Sequence, residues 1–219
     1  MNSEWSQLNK TMQLQLKKRE TYYSGIETLL FLRKSIMEQI TELRNILKSE
    51  DFSAIPFINA NGYHNKTISY SLYHIFRIED IVANTLIAKS PQIFFSRNYQ
   101  PRMNSPIITT GNELIKQKIS EFSAKLDIDE LYNYISDVDK STTRLLKTLA
   151  FSDMKTTMTE QDKDNIRSLK VVSENANAVW LIDYWCGKNI QGLLQMPFSR
   201  HWIMHTEAAL RIANKLTAK

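Results

Sequence analysis

His201 and His205 have the spacing of a metal-binding pair. They stand four residues apart, which places both imidazoles on one face of a helix. Pro197 suits the first turn of such a helix, and neither Pro nor Gly follows it up to Lys219. The same face continues through small and apolar residues at helical spacing: Ala208, Ala209, Ile212 and Leu216. Imidazoles on an apolar face need partners, which are either hydrogen-bonding groups or a metal ion.

His74 is the candidate for a third ligand. It lies in a segment that is predicted to be helical from Thr67, which can cap the helix, to about Lys89. If the two helices are neighbours, three neutral imidazoles converge, a set that suits a divalent transition metal ion and leaves coordination positions open for water or substrate. A histidine pair of this spacing also occurs as a purely structural or surface pair. A zinc protease of the His-Glu-x-x-His type is excluded, because Trp202 follows His201 where that motif has glutamate.

The charged residues near His74 have two interpretations. Glu79 and Asp80 are assigned to a solvated helix face, with orientation of a metal-bound His74 as the alternative. An anionic thiol or carboxylate could be attracted towards the metal by Lys66, Arg77 and Arg200. Exposure to solvent is nevertheless the usual position for such side chains. His64 is interpreted as a loop residue and Cys186 as a small buried residue.

Helical periodicity dominates the chain, and no segment gives a convincing β-strand. Apolar residues recur every three or four positions in residues 29–47, 72–86 and 131–149. With the helix of His201, these segments predict an all-α fold built as an up-and-down four-helix bundle. The remaining segments predict a peripheral N-terminal helix within 1–24, a long inserted loop and a helix within 90–126, a short helix at 161–172, and a buried helix at 174–195 broken at Gly187 or Gly192.

Length and composition predict an ordinary soluble protein. The 219 residues indicate a single domain over 1–219, with 42% hydrophobic and 23% charged residues. A single cysteine excludes an internal disulfide and fits a reducing cytoplasm. No apolar run approaches the roughly 20 residues of a membrane span. The net charge of +5 is spread along the chain, so we do not expect nucleic-acid binding.

The segment Asn65-Lys66-Thr67-Ile68-Ser69-Tyr70-Ser71-Leu72-Tyr73-His74-Ile75-Phe76-Arg77-Ile78-Glu79-Asp80 resembles the second-helix signature of the DinB-like proteins, a damage-inducible family of metalloproteins. That signature is a helix begun by Ser or Thr that carries Leu-x-His-Ile and an acidic residue one turn later. His201 and His205 resemble the other two ligands of the family. The resemblance covers roughly residues 26–90 and 130–217. It implies a four-helix bundle with a three-histidine site for one divalent ion, usually nickel or zinc. Because 127 positions separate His74 from His201, we expect insertions near 90–126 and 155–175.

One functional hypothesis and two alternatives follow. We predict a cytoplasmic protein that binds nickel or zinc through His74, His201 and His205 and needs no other cofactor. The family includes thiol-dependent transferases that use bacillithiol or mycothiol, so the resemblance implies a metal-dependent thiol S-transferase or hydrolase. It would act on a small thiol or an electrophile, through catalytic residues that the sequence does not identify. The alternatives are a non-catalytic metal-binding or interaction protein of the stress response, and a basic helical protein that binds nucleic acid.

Two further expectations concern assembly and the site. The helices predicted at 4–22 and 174–195 exceed what the core of four helices needs. We therefore expect one of them either to cover the bundle or to pair with a second chain in a symmetric homodimer. An open coordination position in a deep pocket would favour an enzyme, whereas a closed site would favour the interaction protein. No association with a membrane is expected.

Overall fold

The computed structural model describes residues 2–218, except for the side chain of Tyr63, and it is all-α as the sequence predicts. Within these residues there is no β-strand, and only one isolated bridge joins Thr157 to Asn189. None of the described helices combines the length and the apolar character needed to cross a membrane.

Helical segments follow one another along the whole described chain. The α-helices are α1 (Ser3–Gln15), α2 (Tyr22–Ile46), α3 (Ile68–Asp80), α4 (Ile93–Ser96), α5 (Tyr99–Arg102), α6 (Gln117–Ser123), α7 (Ile128–Thr148), α8 (Glu160–Ser168), α9 (Trp180–Cys186), α10 (Ile190–Gln195) and α11 (His201–Thr217). Two π-helical segments continue these helices: Ile81–Ile87 extends α3, and Met196–Arg200 leads into α11. Short 3-10 turns occur at Arg19–Thr21, Ser49–Ser53, Gly62–His64 and Phe151–Lys155.

Helix α3 is the centre of the fold. Every residue of α3 is buried, and the helix packs against both α7 and α11. Thr67 caps it as predicted, because its side-chain oxygen accepts a hydrogen bond from the backbone N–H of Tyr70 at 3.0 Å. Helix α2 contacts α7 and α11 on the outside of this arrangement. The central position of α3 requires each polar side chain on it to find a partner inside the protein.

The N-terminal helix is shorter than predicted. Helix α1 ends at Gln15, and α2 has already begun at Tyr22, so the helix predicted at 4–22 was too long. Gly25 lies inside α2, where the missing side chain lets Leu16 approach closely. A Cβ atom at Gly25 would lie 2.9 Å from Leu16 Cδ2. This glycine therefore serves the contact between two helices and does not end one.

Residues 90–126 are not one loop followed by one helix. They contain the short helices α4, α5 and α6, and the longest of these, α6, covers only Gln117–Ser123. The backbone has positive φ angles at Gly111 (80°) and Lys116 (49°), which end any continuous helix at those positions. The segment predicted at 174–195 is helical from Trp180, and it is broken at Gly187 into α9 and α10, as the glycine indicates.

Candidate metal centre

The three predicted histidines come together at the contact between α3 and α11. His74 lies in the middle of α3, and His201 and His205 occupy successive turns at the start of α11. All three side chains are buried. Each histidine offers one ring nitrogen to a group in which all the nitrogens lie within 4.8 Å of one another. The Nε2 atoms of His74 and His201 are 3.2 Å apart, close to the roughly 3.3 Å expected between two imidazole nitrogens on a tetrahedral zinc ion.

A loop within residues 90–126 holds the ring of His74. Its Nδ1 lies 2.8 Å from the carbonyl oxygen of Thr110, and because a carbonyl only accepts, Nδ1 carries the hydrogen. The lone pair of His74 is therefore on Nε2, which faces His201. Tyr70 stacks on the His74 ring with centroids 5.6 Å apart, and its hydroxyl donates to the carbonyl of Gly111 at 3.1 Å. Metal-binding histidines commonly have their other nitrogen held in this way.

The histidines have the protonation state that a metal ion requires. Burial lowers the pKa of His74 to about 4, with the nearby charge of Lys66 as a smaller cause. Burial and neighbouring histidines hold the pKa values of His201 and His205 well below the ordinary 6.5. All three imidazoles are therefore neutral near pH 7, which is the state that binds metal.

The metal-free protein should lose stability when the pH falls from 7 to about 5.5. Buried histidines stay neutral in the folded state, whereas unfolded histidines bind protons below a pKa of about 6.5, so acid favours unfolding. Each imidazole should contribute roughly 1 kcal/mol to this loss over that range. Denaturant unfolding of wild type at both pH values measures the total, and His205→Gln should reduce it by about a third.

His64→Gln is the control for this experiment. His64 lies outside the three-histidine cluster, in a separate cavity that Trp5, Glu207 and Arg211 also line. The substitution His64→Gln should reduce the pH dependence of stability less than His205→Gln does, because His64 does not belong to the buried cluster. Equal pH dependence in wild type and His205→Gln would contradict a buried, neutral His205.

A pocket of about 420 Å³ opens onto the three histidines. Its lining comes from residues that precede or belong to α3, from the loop that holds His74, from α9 and from the π-helical segment that leads into α11. The residues lining it besides the histidines are Gly62, Lys66, Tyr70, Ile78, Asn112, Trp180, Leu181, Tyr184, Trp185, Met196 and Pro197. The volume is that of a site for a small molecule. The histidines thus stand at the base of a cavity and are not sealed inside the core.

Glu79 and Asp80 are fully buried, so their assignment to a solvated helix face was wrong. Arg33 on α2 donates to both carboxylate oxygens of Glu79 at 2.8 Å, and Trp202 Nε1 donates to the same carboxylate at 2.7 Å. Arg33 also donates to Asp139 on α7 at 2.7 Å. This network joins α2, α3, α7 and α11. Glu79 therefore fixes the helix that carries His74 against the helix that carries His201 and His205.

Asp80 holds the start of the inserted segment. Its carboxylate accepts hydrogen bonds from the backbone N–H groups of Ile93 and Phe94 at 2.9 and 2.8 Å, and from the Tyr134 hydroxyl at 2.9 Å. Arg77 is fully buried beside it and donates to the carbonyl of Ile108 at 2.7 Å. Arg77 thus forms its hydrogen bonds inside the protein, whereas Arg200 is exposed and Lys66 lines the pocket.

Cys186 is buried, as the sequence indicates, and burial raises the pKa of its thiol to about 11. A thiol of such a pKa is mostly protonated near pH 7 and is a poor nucleophile. Cys186 is also not among the described residues that line the pocket.

A solved structure shares the fold of this chain. The crystal structure described as that of "the conserved protein of locus from Enterococcus faecalis" aligns over 88% of this chain and 97% of that one, with a TM-score of 0.63 and 10% sequence identity. No protein-family model and no curated protein matches the chain. At this identity the likeness shows a common fold and carries no information on activity.

Proposed function

We propose that this protein is a DinB-like metalloprotein in which α2, α3, α7 and α11 form the four-helix bundle. His74, His201 and His205 would hold one divalent transition metal ion, nickel or zinc. The observation that carries the proposal is the convergence of three buried ring nitrogens, all within 4.8 Å of one another, at the base of an open pocket. Imidazole ligands suit zinc, copper, iron and nickel, and three of them leave a position for another ligand.

The open pocket supports an enzyme over a non-catalytic metal-binding protein. A structural metal site has a full set of protein ligands, whereas this set has three and faces a cavity of about 420 Å³. When bound, a divalent ion of this kind lowers the pKa of a water molecule or a thiol, so that a nucleophile exists near neutral pH. We propose a metal-dependent thiol S-transferase or hydrolase.

The residues of the chain have separate roles in this proposal. The carbonyl of Thr110 keeps Nε2 of His74 directed towards His201. The aromatic side chains of α9, Trp180, Tyr184 and Trp185, form an apolar wall that limits the access of water to the histidines.

Calorimetric titration tests the metal site. Metal-free protein, purified without an affinity tag, should bind one zinc or nickel ion per chain, because it offers one set of three neutral imidazoles. Magnesium and calcium should not bind, since these ions prefer oxygen ligands. A failure of both zinc and nickel to give saturable binding would overturn the proposal.

The reaction is tested separately with the metal-loaded protein. Small thiols are supplied with an activated aryl halide or an epoxide, and the loss of free thiol is followed. The proposal requires a rate that depends on both protein and metal. Metal binding without any such reaction, and without hydrolysis of ester or amide substrates, would instead support the non-catalytic alternative.

A further inference from the structure

The pocket above the histidines contains one formal charge that is not balanced. Among the residues that line it in the described part of the chain, Lys66 is the only one with a charged side chain at neutral pH, and none is acidic. Lys66 is half-buried, and burial lowers the pKa of its ammonium group. No carboxylate of the described residues forms an ion pair with it, and its ammonium group lies over the ring of Tyr70.

Lys66 lies at the histidine end of the pocket. Its Nζ is 5.5 Å from the centre of the Tyr70 ring, and that ring stacks on His74. The pKa of His205 is lowered mainly by burial and by the other two histidines, and the positive charge of Lys66 lowers it further. An anion in the pocket would therefore be attracted to Lys66 and to the metal position at the same time.

Another part of the pocket lining is aromatic. Trp180 and Tyr184 of α9 form an edge-to-face pair with ring centroids 5.6 Å apart, and Trp185 is buried beside them. Trp180 is 49% exposed, so part of its apolar surface is accessible to a ligand. Such a surface favours an aromatic or branched apolar group on a ligand.

We propose that the pocket binds a small organic anion that carries an aromatic or branched apolar group. The anionic group lies between Lys66 and the histidines, and the apolar group lies against Trp180, Tyr184 and Trp185. This inference deepens the proposed function, since a divalent ion held by three neutral imidazoles would add positive charge at the same end of the pocket. It does not depend on the metal, because Lys66 is positively charged without it.

Phenylacetate and phenylacetamide are suitable probes, because they share a ring and differ in charge. Their dissociation constants are measured by NMR titration, first with the metal-free protein and then with the zinc-loaded protein. Wild type should bind the acid roughly tenfold tighter than the amide in the metal-free form. Bound zinc should increase this ratio between the two dissociation constants. Equal binding of the two probes to metal-free protein, or no saturable binding of the acid at millimolar concentration, would overturn the inference.

Substitutions separate the two ends of the ligand. Lys66→Met should remove the preference for the acid, Lys66→Arg should retain it, and Trp180→Ala should weaken both probes to a similar extent. Lys118→Met, at an exposed lysine of α6, is the matched control and should change neither dissociation constant. Retention of the full preference in Lys66→Met would contradict the role of Lys66.

The two proposals can fail independently. If zinc and nickel do not bind, the metal site is lost, yet the preference of the metal-free protein for the acid still tests Lys66. If one metal ion binds per chain but the protein binds the acid no more tightly than the amide, the metal site stands and the proposed ligand class is wrong.

Discussion

Replacing His205 by alanine is expected to remove most of the stabilisation that zinc or nickel gives to the wild-type protein. Only His74 and His201 remain as ligands in this variant. At a free metal concentration about 100 times the wild-type Kd, bound metal raises the free energy of unfolding by about 2.7 kcal/mol. Loss of a direct ligand should weaken binding by at least ~100-fold, which leaves a gain of roughly 0.4 kcal/mol. Thermal unfolding of both proteins, with metal and with chelator, measures the difference.

His64→Ala controls for the removal of a histidine as such. His64 lies outside the cluster, so this variant should keep the full shift of Tm with metal. The metal-free His205→Ala protein should remain folded, because apolar side chains of the long helices supply most of the burial. If metal raises the Tm of His205→Ala as much as that of wild type, the three-histidine ligand set is wrong.

Breaking the buried ion pair between Arg33 and Glu79 should have the largest effect on stability. Either Arg33→Met or Glu79→Leu leaves charged groups buried without their main partner, which typically costs about 3–5 kcal/mol. The double variant should lose less free energy of unfolding than the sum of the losses in the two single variants, since it removes both charges of the pair. Urea unfolding of the metal-free proteins gives the free energies of unfolding.

An exposed pair provides the comparison for this measurement. Arg167 and Asp164 are bonded at 2.9 Å, and their side chains are 52% and 63% exposed. Arg167→Ala should therefore change the free energy of unfolding by no more than about 1 kcal/mol. A loss in Arg33→Met as small as that in Arg167→Ala would show that the network around Glu79 does not hold the helices together.

The sequence predicts which helices and which helical faces carry the three histidines because those signals are local, whereas the convergence of the two helices was an expectation from the family resemblance. A spacing of four residues puts His201 and His205 on one helical face, and the cap at Thr67 sets the start of the helix that carries His74. The apolar stripes predict which faces of the long helices are buried. These rules need only the period of a helix, and the structure confirms them.

The buried acids were misplaced because their partners are distant in sequence. Glu79 is paired by Arg33, which is 46 residues away, yet Arg33 lies four residues after Leu29 on the inward stripe of α2. A charged residue on an apolar stripe predicts a buried counter-charge, and that signal was available. The contact of His74 with Thr110 had no such signal, since every residue has a carbonyl oxygen and the path of a loop is not periodic.

The distance along the chain between His74 and His201 has a consequence for the order of events in folding. His74 and His201 are 127 residues apart in sequence, although their nitrogens are 3.2 Å apart in space. Closing so long a loop carries an entropic cost, and contacts of this range slow the approach to the native state. The complete set of three imidazoles does not exist until this loop has closed. An ion that requires all three therefore lengthens the lifetime of the native state without raising the rate at which it is reached.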